Sequence, residues 1–163
     1  VKKNLDFIGL RGLSFVCNAA YIYSRVRFEE GAPERDRPLA GQSPYLVNAG
    51  FFYQYDDKGI SASLLYNRIG KRIESVGVPM QNQDEDIPDI YEMPRNSLDL
   101  TFSKKIGKIV EIKAGIQDIL NSKVEYKQFV KLTDDKGGKS EREQLIRSYR
   151  PGVDINIGVS LRF

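Results

Sequence analysis

From Val153 to Phe163 the chain alternates without a break: Val153, Ile155, Ile157, Val159, Leu161 and Phe163 on one parity, Asp154, Asn156, Gly158, Ser160 and Arg162 on the other. A strand points successive side chains to opposite faces, so this segment is a strand with one apolar and one polar wall. The same period recurs along the chain, separated by Gly, Pro, Asp and Asn turn signals. A chain of such strands has two ways to satisfy its apolar walls. It stacks two sheets over a shared dry core, or it turns the walls outward as a barrel in lipid.

The alternation predicts an all-β antiparallel meander of about seven strands. The first, Asn4 to Ile8, is short and reads as the tail of a strand begun upstream. Leu13 to Phe28 follows, with Phe15, Cys17, Ala19, Tyr21 and Tyr23 on one face. Tyr45 to Tyr55 places Tyr45, Val47, Ala49, Phe51, Tyr53 and Tyr55 together, and Ile60 to Ile73 returns after Asp56-Asp57-Lys58-Gly59. Asn96 to Lys105, Val110 to Lys127 and a last strand opening near Tyr149 complete the set.

The connections alternate in length. They are short at Gly9, Asp56 and Gly107, and long at Gly31, near Asp84 and near Gly137. Short turns on one rim and long loops on the other are the layout of an outer-membrane barrel. A soluble sandwich has no reason to sort its loops this way. Parity puts Phe163 on the short-turn, periplasmic rim, and an aromatic last residue resembles the assembly signal of such barrels, carried here by Phe163, Leu161 and Val159.

Composition agrees once helices are set aside. The chain is 40% hydrophobic and 29% charged, with a mean hydropathy of -0.43, and no segment approaches the roughly 20 consecutive apolar residues of a spanning helix. A barrel needs apolar residues only at alternate positions. Nine Tyr and eight Phe suit aromatic strands and girdles. A net charge of +3, from 25 basic and 22 acidic residues, shows no basic run interleaved with aromatics, so nucleic acid is not an expected partner.

With no His and one Cys, the commonest metal and nucleophile constellations are out of reach. Glu29 and Glu30 are adjacent and point to opposite faces of any strand, which does not suit paired acid and base work. No catalytic residue, cofactor or metal is assigned, and an enzyme is not expected. Asp84, Glu85, Asp86 and Asp89 read as a solvated acidic loop rather than a Ca²⁺ site, since the EF-hand spacing is absent. Arg68, Lys71 and Arg72 read as an exposed basic strand end rather than as a contact for an anionic ligand or a lipopolysaccharide phosphate. Asp118 and Asn121 read as residues that shape a strand bend through backbone hydrogen bonds.

Particular segments resemble TonB-dependent outer-membrane receptors of the Bacteroidota. Pro38 to Tyr45, including Gly41, Gln42, Ser43, Pro44 and Tyr45, with Val47-Asn48-Ala49-Gly50 behind it, is similar to a recurring segment of that family. So are Leu65 to Ile73, with Asn67, Gly70 and Arg72, and Asp89 to Arg95. Ile116 to Asn121 resembles the family's NLLN-like stretch in the penultimate strand, with Asp118 where Asn is more usual. The order of these segments, ending on Arg162-Phe163, covers most of the chain.

The resemblance implies that residues 1–163 are the C-terminal part of an active importer, a barrel of about 22 strands plugged by an N-terminal domain. The transported nutrient is a siderophore, cobalamin or a glycan, and the location is the outer membrane of a Gram-negative bacterium. Expected partners are outer-membrane lipid and lipopolysaccharide, the barrel-assembly machinery, a surface lipoprotein lid, and the TonB complex through an N-terminal part outside this chain. Val1-Lys2-Lys3-Asn4-Leu5 is neither an initiator Met nor a signal peptide, in line with a piece of a longer barrel. The competing reading is a small all-β outer-membrane or soluble binding module without transport activity.

Overall fold

The computed structural model describes residues 2–6, 11–32, 36–80, 86–133 and 139–162. Its strands are β1 (Lys2–Asn4), β2 (Leu13–Tyr21), β3 (Tyr45–Tyr55), β4 (Ile60–Ile69), β5 (Arg72–Ser75), β6 (Ile90–Glu92), β7 (Arg95–Ile106), β8 (Val110–Gln117), β9 (Val124–Thr133), β10 (Lys139–Tyr149) and β11 (Asp154–Leu161). Among the described residues there is no α-helix, and every strand pairing is antiparallel. The chain is all-β. Seven strands form one sheet in the order β1-β2-β3-β4-β7-β8-β11, and four form a second in the order β10-β9-β6-β5.

The second sheet continues the first rather than stacking on it. β4 runs into β5 across Gly70-Lys71, and β6 runs into β7 across Met93-Pro94. The pairing Ile60↔Lys104 to Ile69↔Arg95 resumes without slip at Arg72↔Glu92 and Ile73↔Tyr91. Pro94 has no N–H to give the ladder, which interrupts it there. β8 and β9 are separated by residues 118–123, β10 and β11 by residues 150–153. The lateral order β4, β7, β8, β11 thus reappears above as β5, β6, β9, β10.

Several expected boundaries change for local reasons. Leu13 to Phe28 stops at Tyr21; beyond it Ile22 N donates to Pro44 O and Val26 bridges to Arg37. Ile60 to Ile73 is two strands broken at Gly70, and Val110 to Lys127 is two strands broken after Gln117. The long connection after Glu74 contains β6 and the bridge Val78↔Ile87, and β10 begins at Lys139, well before Tyr149. β1 starts and ends earlier than Asn4 to Ile8, and residues 7–10, including Gly9, lie outside the described residues, as do residues 81–85 and 134–138.

The rims differ as the loop lengths require. β3 joins β4 through a 3-10 turn, Asp56–Lys58, closed by Gly59 at φ 58, a left-handed conformation that glycine adopts at little cost. β7 joins β8 through residues 107–109, and Arg162 N donates to Ile109 O at 2.9 Å, so β11 ends on this short-turn rim. Phe163 itself lies outside the described residues. The opposite rim carries the connection 22–44 and the whole four-stranded sheet.

Among the described residues no layer stacks on these sheets. Apart from the turn after β3, the elements in substantial contact are hydrogen-bonded neighbours. The accessible surface is 11994 Å² for 18.5 kDa, against roughly 8,200 Å² for a globular monomer of that mass. Among the described residues the buried apolar side chains are Ile73, Val124 and Tyr126, all in the four-stranded sheet. The seven-stranded sheet is a wall without a core, held by its ladders.

Candidate functional site

Register fixes the two faces of the wall. Leu13, Phe15, Cys17, Ala19 and Tyr21 of β2 stand opposite Tyr53, Phe51, Ala49, Val47 and Tyr45 of β3. These continue through Ala62, Leu64 and Tyr66 of β4 to Phe102, Leu100 and Leu98 of β7. Ala114 and Ile116 of β8, then Ile157 and Ile155 of β11, complete the row. This face is apolar from β2 to β11, and among the described residues nothing covers it: Phe51 is 44% exposed, Leu100 38% and Ile157 77%. The Phe15 and Phe51 rings lie 5.0 Å apart, tilted at 44° to each other.

Tyrosines mark both ends of that face. Tyr21, Tyr45 and Tyr66 stand near the long-loop rim, Tyr53 and Tyr55 near the short-turn rim. Tyr45 and Tyr55 share a face of one strand ten residues apart, which at a tilt of about 40° separates them by about 25 Å in height. The apolar stretch between them is therefore about 25 Å high. Just beyond Tyr66, Asn96 Oδ1 accepts from Tyr66 Oη and Arg68 Nη1, both at 2.9 Å.

The opposite face carries the hydroxyls and amides, with Val16, Leu46, Phe52 and Leu65 interspersed. Ser61 and Ser103 Oγ lie 2.7 Å apart, Ser63 Oγ and Thr101 Oγ1 2.6 Å, and Asn67 Nδ2 donates to Asn48 Oδ1. A groove of about 540 Å³ runs along it near the short-turn rim, lined by Ser14, Gln54, Ser61, Ser63 and Thr101 among others. Hydroxyls and amides paired across strands suit a wetted surface, not a core.

At the upper end of the polar face the chain bends. Asp118 and Asn121 both have positive φ, 52° and 43°, the region that Asp and Asn tolerate better than other non-glycine residues. Asn121 N donates to Asp118 O at 2.8 Å, and Asp118 N to Asp99 Oδ1 at 2.8 Å. Arg95 Nη2 reaches Asp118 Oδ2 at 2.6 Å, and Asn121 receives Gly152 N at Oδ1 and Arg150 Nη1 at its carbonyl. Arg95 Nε and Asp118 Oδ1 are shielded yet meet no protein partner. This network clips β7, β8 and the start of β11 together where the two sheets meet.

Above the bend the faces carry different charges. On the side continuing the polar wall, the Lys71 ammonium lies 4.0 Å from the Tyr91 ring centre and 3.8 Å from that of Phe129. Burial lowers the Lys71 pKa from its ordinary value, and Glu141 and Glu143 partly restore it. Tyr91 is pushed up, first by burial and then by Asp89. Lys127 reaches Glu143 at 2.6 Å and Glu125 at 3.4 Å. On the side continuing the apolar wall, Arg72 pairs with Glu92 at 2.6 Å and Arg147 lies over Tyr126 at 4.2 Å.

The residues that sequence singled out gather at the junction of the sheets. Gly41 N donates to Ile73 O at 2.8 Å, Ser43 Oγ to Tyr45 O at 2.7 Å, and Gly70 N to Tyr45 O at 3.1 Å. A Cβ on Gly70 would stand 2.7 Å from the Tyr45 ring and 3.0 Å from Ser43 Oγ. Gln42 N donates to Leu39 O within the same loop, and Pro44 O accepts from Ile22 N. Asn48 and Asn67 meet on the polar face, Arg72 lies just above, and Asp118 and Asn121 occupy the neighbouring bend. Val159 and Leu161 lie on the exposed apolar face of β11. Arg68 and Arg72 share one face, while Lys71 faces the other.

Sequence reasoning overlooked Arg95, Asp99 and the aromatic pair around Lys71. Arg95 and Asp99 share parity on β7 with the polar face, the signal that would have found them. Asp84 and Glu85 lie outside the described residues. Asp86 Oδ1 accepts from Met80 N and Asp89 Oδ1 from Gly77 N, both at 2.8 Å, so both carboxylates cap loop backbone. Among the described residues no three His, Cys, Asp or Glu side chains are grouped to hold a metal, and no helix is long and apolar enough to cross a membrane.

Comparison with known proteins returned no matching family model, no matching curated protein and no matching solved structure.

Proposed function

We propose that this chain is membrane-spanning wall from the C-terminal part of a TonB-dependent outer-membrane receptor, in a parent barrel of about 22 strands importing a siderophore, cobalamin or glycan. The observation that carries the membrane assignment is the uncovered apolar face running from β2 to β11, bounded by Tyr45 and Tyr55 and backed by a hydroxyl and amide face. In water such a face costs about 25 cal/mol per Å² exposed, whereas in lipid it is the solvated state. The polar face then lines the lumen, and the four-stranded sheet stands above the outer surface.

The receptor assignment rests on the sequence segments that resemble that family, several of which pack around Gly70 and Tyr45. Strands pairing with the open edges of β1 and β11 would come from the rest of the barrel. In this role the chain supplies wall, lumen lining and external surface, and performs no covalent chemistry.

The test is to express the complete protein and fractionate the cells. Recovery in the outer membrane, with heat-modifiable migration and nutrient uptake that depends on the TonB complex, supports the reading. Recovery as a soluble monomer overturns it. Outer-membrane recovery with TonB-independent behaviour leaves a barrel and removes the receptor assignment.

A further inference from the structure

We infer that Tyr91 of β6 and Phe129 of β9 form a binding site for a free organic ammonium ion, with the Lys71 side chain as its built-in competitor. The inference rests on the geometry of the four-stranded sheet and stands apart from the membrane and receptor readings. The register sets Ile73 opposite Tyr91 and Tyr91 opposite Lys127. Lys71 and Phe129, each two residues from a member of that row, share its face.

The two rings meet edge to face, their centres 5.8 Å apart at an interplanar angle of 72°. The Lys71 ammonium sits 4.0 Å from the Tyr91 centre and 3.8 Å from the Phe129 centre, well inside the roughly 6 Å over which an aromatic face attracts a cation. Tyr91 is braced, since its hydroxyl lies 3.5 Å from Asp89 Oδ2 while Asp89 Oδ1 accepts from Gly77 N at 2.8 Å. Rings held in place beforehand lose little freedom when a ligand arrives. Lys71, Tyr91 and Phe129 are all half-buried, so a solute reaches them.

The surrounding charge favours a cation. Glu141 and Glu143 act on Lys71, and Asp89 and Glu141 act on Tyr91, where Arg37 opposes them. Lys127 is committed to Glu143 and Glu125. Once Lys71 withdraws, these named groups carry net negative charge.

Lys71 is an imperfect occupant. Its ammonium is compact and strongly hydrated, and burial lowers its pKa although Glu141 and Glu143 pull the other way. A quaternary ammonium is the cation that aromatic cages recognise. Such an ion exchanges for the Lys71 head, which its flexible stem lets swing out to water.

The experiment uses the complete protein in a maltoside detergent, with choline as probe and dimethylbutanol, the uncharged isostere in which carbon replaces nitrogen, as reference. Binding is read by saturation-transfer NMR and titration calorimetry. Wild type is expected to bind choline in preference to dimethylbutanol, and Phe129→Leu to lose that preference. Lys71→Ala is expected to bind choline about tenfold more tightly, because a site open for about a tenth of the time binds about tenfold more weakly than one always open. Arg142→Gln removes equal charge from the other face of β10 and is expected to leave the affinity unchanged. A short-chain phosphatidylcholine below its micelle concentration is expected to bind more weakly than free choline.

Equal binding of choline and its isostere by wild type, no binding of either, an unchanged preference in Phe129→Leu, or the same gain in Arg142→Gln as in Lys71→Ala overturns the proposal. Tighter binding of the lipid overturns the assignment to a free solute. Should Lys71→Ala fail to fold, the wild-type and Phe129→Leu comparisons decide alone. Recovery of the complete protein as a soluble monomer overturns the membrane reading and leaves this site to be measured by the same titrations without detergent.

Discussion

Arg95 Nη2 and Asp118 Oδ2 lie 2.6 Å apart, tying the first residue of β7 to the positive-φ residue that follows β8. The pair sits where the seven-stranded sheet gives way to the four-stranded sheet. It is mostly shielded, and Arg95 Nε and Asp118 Oδ1 have no other protein partner, so removing one charge strands the other.

Arg95→Gln is therefore expected to cost about 1–3 kcal/mol, within the range for losing a hydrogen bond to a charged group. Asp118→Asn keeps a side chain that tolerates positive φ and is expected to cost less than Asp118→Val, which adds backbone strain. Thermal unfolding of the complete protein in detergent checks the order. Equal losses for Asn and Val at 118 would show that φ carries no weight there.

Gly70 gives a second expectation. The Tyr45 ring lies where its Cβ would be, 2.7 Å away, and Gly70 N donates to Tyr45 O. Gly70→Val forces the ring or the strand aside and is expected to destabilise by about 1–3 kcal/mol, as overpacking does. The double variant Gly70→Val/Tyr45→Ala should recover part of that loss, and a melting series of the four forms measures it.

How much of this was legible in the chain depends on where alternation was clean. β11 alternates strictly and β3 does so but for Leu46 and Phe52, and the faces read for these two from residue type match their register. The break at Gly70 was invisible because alternation runs through it, and only the Tyr45 contact shows why glycine is needed. β10 was missed because Lys139–Tyr149 carries charge on both faces and shifts register between Leu145 and Arg147. Lys71 and Arg72 looked like one basic patch, yet as neighbours on a strand they belong to opposite faces. The contact between Lys71, Tyr91 and Phe129 joins three strands and has no local signal.

Lys71 also sets a pH expectation. Burial lowers its pKa below the ordinary 10.5, so between the folded value and 10.5 the unfolded chain holds a proton that the folded chain has released. Stability linked to Lys71 is therefore expected to rise with pH through that window. Tyr91 and Tyr126 are both raised above 10.0, chiefly by burial, which acts the opposite way: stability linked to them falls as pH rises above 10.0. NMR titration of ¹³C-methylated lysines is the direct check. Phe129→Ala should hydrate Lys71 and move its titration back toward 10.5, and an unchanged titration would show that the ring is not what shields it.

The sharpest discrimination between a lipid-facing wall and a soluble sheet lies in neighbouring residues of β7. Leu100 points to the apolar face and Thr101 to the polar one, where its hydroxyl meets Ser63. If the apolar face meets lipid, Leu100→Arg places a guanidinium in the hydrocarbon layer and is expected to cost about 2–4 kcal/mol near the midplane. Thr101→Arg places the same group in the lumen and is expected to cost far less. For a sheet in water the order reverses, because Leu100 is 38% exposed and an arginine there would be within about 0.5 kcal/mol of neutral, while Thr101→Arg still forfeits the Ser63 contact. Urea unfolding of the complete protein in lipid vesicles measures both, and a smaller loss for Leu100→Arg than for Thr101→Arg would overturn the membrane assignment, since no lipid-embedded face tolerates an unpaired charge better than its wetted counterpart.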